Sequence, residues 1–272
     1  MSFDFSNIDW RAQFFPKRKG LPMDLTTIDV MKAFAVGLMI VDHAGWLLFP
    51  EIEWFRVFGR LCVPLWFFLI GYSNSRDIPP RWMAAGVVLL ISSLLVGLPA
   101  LPLSVLFTMA FIRLGIDLFW RFILPRGVYF WWVYLLLVFF WFVTDKVVEY
   151  GTLGFLLANI GYVVRHRERV VEYLGEAMPQ TFIAVTLATF GVLQCMQFGF
   201  SMLGAMVVAA GLLGMFFILP SFEAKTLPGT ANHGQASLVR FMGRYTLEIY
   251  VLHLLVLKGA FGLQKLAAWV IG

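Results

Sequence analysis

The chain has 272 residues; 60% are apolar, 17% aromatic and only 14% charged, with a net charge of +5. A soluble domain carries about 25% charged residues, so this composition excludes a soluble globule, a disordered chain and a coiled coil. The positive balance reads as arginine and lysine that orient membrane spans, not as a nucleic-acid signal. Cys62 and Cys195 both sit in apolar runs and read as small buried hydrophobes; no cysteine–histidine cluster has zinc spacing, so no metal is expected.

Residues 1–26 hold Arg11, Lys17, Arg18 and Lys19 beside Trp10, Phe14, Phe15 and Pro16. They lack the apolar core of a signal peptide and predict a basic interfacial segment on the cytoplasmic surface. Residues 27–272 read as one all-α, polytopic transmembrane domain. With roughly 20 apolar residues needed per crossing, the spans fall at 27–48, 54–72, 82–98, 103–124, 128–144, 148–164, 181–198, 202–219 and 245–262, about nine in all. The links are short and carry Pro50, Pro79, Pro80, Pro99, Pro102, Pro125 and Pro220. Placing the N-terminus in the cytoplasm puts fourteen lysines and arginines on that side. Only Lys146, Lys258 and Lys265 fall opposite.

Charges inside spans cost about 2.5–3.5 kcal/mol each on insertion scales and mark function or internal pairing. In the first span, Asp29, Lys32 and His43 fall on one helical side. Asp29 and Lys32 also read as an interfacial pair, and His43 as a neutral packing histidine. Asp42 adjoins His43 but points about 100° away, so it is expected to orient a neighbour rather than His43. The second span opens with Arg56 and Arg60, four apart on one face, suited to pairing with Asp42, Glu51, Glu53 or Glu248, or to holding an anionic group. It closes with Tyr72. The fourth span holds Arg113 and Asp117, which predicts an internal ion pair. The ninth carries Glu248, and its Thr246, Tyr250 and His253 share a face.

The chain shows no nucleotide loop, Gly-x-Ser-x-Gly elbow or haem signature. A membrane histidine, an adjacent carboxylate and several arginines suit proton removal from an attacking amine or hydroxyl, with cations for an anionic donor. The same residues also fit a proton relay in a coupled transporter, with Asp42, His43 and Arg113 as its members.

Two runs carry a resemblance. Asp29-Val-Met-Lys32-Ala-Phe-Ala-Val-Gly-Leu-Met-Ile-Val-Asp42-His43 is followed by Phe55-Arg56-Val-Phe-Gly59-Arg60-Leu-Cys-Val-Pro64. They resemble the TraX family, whose first helix ends in Asp-His and whose second carries an arginine, then Gly-Arg. Leu103-Ser-Val-Leu-Phe-Thr108 is similar to a family segment in which asparagine is common where Ser104 stands. Leu247-Glu248-Ile249-Tyr250-Val-Leu-His253 is similar to its closing helix. The best-known member acetylates the pilin N-terminus from acetyl-CoA, and related membrane enzymes transfer acyl groups to sugars and lipids with a buried histidine. The resemblance implies a multi-pass acyltransferase of the bacterial inner membrane. It would take cytoplasmic acyl-CoA, most simply acetyl-CoA, as co-substrate and act on a pilin, sugar or lipid at the outer side. His43 and Asp42 would be catalytic. Lys32, Arg56 and Arg60 would bind substrate; Arg113, Tyr72, Glu248, Tyr250 and His253, read from the spans themselves, complete the candidate binding set. A non-catalytic pilus or secretion assembly factor is the remaining alternative.

Overall fold

A computed structural model describes residues 23–231 and 234–271. The basic segment expected at 1–26 lies almost wholly outside the described residues.

Helix α1 (Thr27–Leu47) begins at a capping box: the Thr26 hydroxyl accepts from the Asp29 N–H, and the Asp29 carboxylate accepts from the Thr26 N–H. Strand β1 (Leu25–Thr26) precedes it and pairs antiparallel with β2 (Thr226–Leu227), far along the chain. After α1 come α2 (Glu53–Gly59), α3 (Cys62–Tyr72), α4 (Pro80–Leu95) and α5 (Val105–Ile123). A 3-10 turn (Leu124–Tyr129) leads into α6 (Phe130–Thr144). Then follow α7 (Gly151–Arg165), α8 (Arg167–Leu174), α9 (Met178–Phe198), α10 (Met202–Ile218), α11 (Gly234–Arg244) and α12 (Thr246–Ile271).

Six helical stretches are long and apolar enough to cross a membrane: Thr27–Leu47, Glu53–Tyr72, Val105–Thr144, Met178–Phe198, Met202–Ser221 and Thr246–Val270. By that measure the expected nine are not reached among the described residues. The fourth and fifth windows count there as one 40-residue stretch, but the 3-10 turn at Pro125 folds it back into two helices whose outer ends meet, with the Leu103 N–H on the Val147 carbonyl at 2.9 Å. The third and sixth fold as helices of 16 and 15 residues, shorter than a full crossing. The outward surface is apolar, with Leu135, Phe139, Phe217, Leu252 and Val256 all exposed, which suits hydrocarbon rather than water.

The tightest internal contact joins α3 to α7. A Cβ on Gly71 would collide with the Ala158 carbonyl, and one on Gly161 with the Phe68 carbonyl. Small residues permit this approach, as they do between membrane helices generally. The inner face of α1 is covered by α2, α11 and α12. At its first turn Arg244 from α11 pairs with Asp29 at 3.1 Å. Asp29 is thus committed to its cap and to Arg244, at the end of the stripe expected to run from it through Lys32 to His43.

Candidate active site

The site grows from the crossing of α1 and α2. A Cβ on Gly59 would strike Asp42, and one on Gly45 would strike Phe55, so two glycines let the helices meet. That approach delivers both arginines of the second segment to one carboxylate. Arg56 Nη1 donates to Asp42 Oδ2 at 2.8 Å and to the Asp42 carbonyl at 3.1 Å. Arg60 Nε donates to Asp42 Oδ1 at 2.9 Å, and its Nη2 pairs with Oδ2. Arg60 Nη1 also donates to the Tyr150 hydroxyl at 3.0 Å. Both guanidinium groups lie over the Phe198 ring, 4.6 and 4.9 Å from its centroid. Buried ions persist only when paired and hydrogen-bonded, and Asp42 is only 2% exposed. Two cations on one carboxylate leave the cluster one unit positive.

His43 follows Asp42 but turns elsewhere, as the helical phase demands. Its Nδ1 lies 2.7 Å from Nε2 of His253 on α12. The rings stack with centroids 5.0 Å apart, and Tyr250 lies beside both. His253 Nδ1 is 2.7 Å from the Ile249 carbonyl. With both rings neutral, one assignment satisfies both bonds. A carbonyl only accepts, so His253 Nδ1 carries its proton and His253 Nε2 is an acceptor. His43 Nδ1–H donates to it, which leaves the lone pair on His43 Nε2.

A cavity of about 370 Å³ runs along α1. One end is lined by Ile28, Lys32, Ser73, Asn74, Arg113 and Arg165; the other by Asp42, His43, Glu149, Tyr150 and Tyr250. Cations therefore crowd the end nearest the first turn of α1, and the titratable cluster closes the other. Tyr72 also lines this cavity, under the Arg165 guanidinium 5.0 Å from its ring centroid.

Two expected partnerships are replaced. Arg113 does not pair with Asp117. It donates to the Asp77 carbonyl and stacks on Trp82 at 4.4 Å, while Asp117 binds Arg76 at 2.8 and 2.9 Å. The segment after α3 folds back over α5 and separates the pair. Glu248 does not reach the Asp42 cluster; it faces Arg81 at 3.6 Å, because its helical phase turns it from the side that carries His253. Lys258, counted by sequence among outer-face cations, is buried, with its ammonium on the Leu89 carbonyl, Ser92 Oγ and Ser93 Oγ.

Glu149 and Tyr150 are site residues that the sequence reading passed over. Backbone bonds of Leu103 N–H to the Val147 carbonyl and Glu149 N–H to the Leu103 carbonyl, both 2.9 Å, hold this segment against the start of α5. Tyr150 then takes the left-handed conformation, φ 65°, before α7 begins. A glutamate inside an apolar window is the signal that marks it.

A family model described as TraX protein matches residues 27–260. A relative in Rickettsia prowazekii (strain Madrid E), named only as uncharacterized protein RP591, is 26% identical over 143 residues. That match covers 52% of this chain and 56% of the relative, so the chain spans little more than half of the relative's length. No solved structure matches.

Proposed function

The chain belongs to the TraX family, and from that premise we propose that it is an integral membrane acyltransferase of the bacterial inner membrane, crossing it about nine times with its N-terminus in the cytoplasm. It moves an acyl group, most simply acetyl, from cytoplasmic acyl-CoA to an amine or hydroxyl at the outer side, on a pilin, sugar or lipid.

The observation that carries this reading is the cavity that begins among Lys32, Arg113 and Arg165 and ends at His43. Cations at the entrance suit the phosphates of the coenzyme, and the apolar middle, lined by Met39, Val63, Phe67, Leu106 and Met109, suits a thioester arm. At the far end His43 Nε2, freed by the bond of Nδ1 to His253, takes the proton of the acceptor as it attacks the thioester carbonyl. The tetrahedral oxyanion forms beside a cluster with one excess positive charge, Asp42 with Arg56 and Arg60, and preorganised charge of that sign favours it. Collapse breaks the carbon–sulfur bond, and the coenzyme leaves as the thiol with the proton that His43 held. Glu149 and Tyr150 close the end wall.

The test is acyl transfer by the purified chain in lipid nanodiscs. His43→Gln should cut turnover by about 10²–10⁴-fold while the thermal melting profile stays the same. Turnover close to that of the unmodified chain would remove His43 as the base. In a deletion strain, mass spectrometry of surface glycans and pilins should show a mass loss of one acyl group on the natural acceptor.

A further inference from the structure

A second, smaller cavity of about 110 Å³ lies on the other side of His43. The two cavities share His43, Glu149 and Tyr250 as wall residues. The second continues past them to the loop Leu98–Leu103, between α4 and α5, at the end of the bundle opposite Lys32. Its remaining wall includes Trp46, Ser93, Ser104 and Lys258.

Three details of that wall point to a ligand. Ser104 stands at the N-cap position of α5, yet its side chain caps nothing. Glu149 Oε2 accepts the Val105 N–H instead, at 2.8 Å, and Ser104 Oγ is buried without a hydrogen-bond partner. A buried, unused hydroxyl costs stability and is explained where a bound group completes it. Glu149 presents its carboxylate at the junction of both cavities. Lys258 gives its amine protons to one carbonyl and two serine hydroxyls, and it shares the chamber wall with Glu149.

We propose that this chamber is the acceptor subsite, and that it takes a neutral hydroxyl group of a carbohydrate rather than the ammonium of a peptide terminus. The assignment rests on the acyltransferase reading and refines it. A protonated amine would have to lose one proton before attacking and a second as it attacks, whereas His43 takes one. A sugar hydroxyl carries no charge, gives its single proton to His43, and has neighbouring hydroxyls for Ser104 Oγ and Glu149. Trp46 lines the chamber wall, and an indole is a side chain that packs against a pyranose. In the step itself the hydroxyl oxygen bonds to the thioester carbonyl carbon, its proton passes to His43 Nε2, the carbon–sulfur bond breaks, and the proton leaves with the coenzyme thiol. The products are an ester and free coenzyme A.

The experiment uses membranes of the producing strain with acetyl-labelled acetyl-CoA, compared with membranes carrying His43→Gln. The transferred label is sorted by mild alkali, which releases esters and spares amides. His43-dependent label that is alkali-labile and carbohydrate-linked supports the proposal. His43-dependent label that resists alkali overturns it and assigns an amine acceptor, with the acyltransferase reading intact. No His43-dependent label overturns the acyltransferase reading and this one with it. A second arm uses Ala100→Trp, on the exposed lip of the chamber. Transfer should fall by about tenfold more than acetyl-CoA hydrolysis does, because only the acceptor's approach is obstructed. Equal losses in both would remove the chamber from the acceptor's path.

Discussion

His43 Nδ1 and His253 Nε2 are 2.7 Å apart although 210 positions separate them in the chain. The Ile249 carbonyl sets the tautomer of His253, and His253 in turn sets that of His43. On the proposed mechanism His253 is therefore a positioning residue. His253→Ala should lower turnover by roughly 10²-fold through loss of ring orientation, with little change in the KM for acyl-CoA. His253→Gln, whose amide oxygen accepts the Nδ1–H, should recover part of that loss. Equal turnover in the alanine and glutamine variants would show that the bond does not orient His43.

Lys32 stands at the entrance of the larger cavity, with Arg113 and Arg165. Reversing its charge should raise the apparent KM for acyl-CoA at least about tenfold, since an added carboxylate repels the donor phosphates, and should leave the acceptor KM nearly unchanged. In inside-out vesicles, added acyl-CoA should support activity directly, whereas right-side-out vesicles should require permeabilisation. Equal use of external acyl-CoA by both preparations would reverse the sidedness proposed above.

Asp42 serves two guanidinium groups, so its loss strands two buried cations. Asp42→Asn should destabilise the fold by about 3–5 kcal/mol, the usual consequence of breaking a buried pair, read as lost thermal stability in detergent. Adding Arg56→Met to Asp42→Asn should restore stability, because one of the stranded charges goes. A double variant less stable than Asp42→Asn alone would mean that the arginines do not depend on Asp42.

Gly71 packs against the backbone of Ala158. Gly71→Ala should lower stability by about 1–3 kcal/mol through overpacking. Gly214→Ala, inside α10 where a Cβ meets nothing within 4 Å, is the control and should leave stability unchanged or raise it by up to about 1 kcal/mol. Similar melting of both variants would contradict the close α3–α7 contact.

Residues that share a helix were legible in the sequence, because a 3.6-residue repeat fixes which side each takes. That repeat separates Asp42 from His43 and places Arg56 and Arg60 together, and the short link brings both arginines to Asp42. It also aligns Thr246, Tyr250 and His253. What it omits is competition from other elements. Arg113 and Asp117 have the spacing of a pair, yet Arg76, the Asp77 carbonyl and Trp82 arrive from the preceding segment and take their places. Glu149 and Tyr150 were absorbed into an apolar window, because hydropathy averages over a turn that one left-handed residue creates. The two spans expected within 103–144 were legible because Pro125 interrupts the apolar run, whereas averaging lengthened Pro80–Leu95 into a full one. Lys258 looked like a surface cation because nothing in its own helix announces the oxygens of α4.

The two-residue ribbon between β1 and β2 bears on how the molecule is made. Leu25 and Thr26, at the threshold of the first helix, wait for Thr226 and Leu227, and Asp29 waits for Arg244. During synthesis the helix that bears His43 emerges early, yet its clasp and its histidine partner are translated some 200 residues later. The opening helix is held without its final neighbours until nearly the whole bundle has been threaded into the bilayer. Contacts so distant in sequence form late. A ribosome-bound fragment lacking α12 therefore has no stacked histidine pair, and His43 gains that partner only with α12.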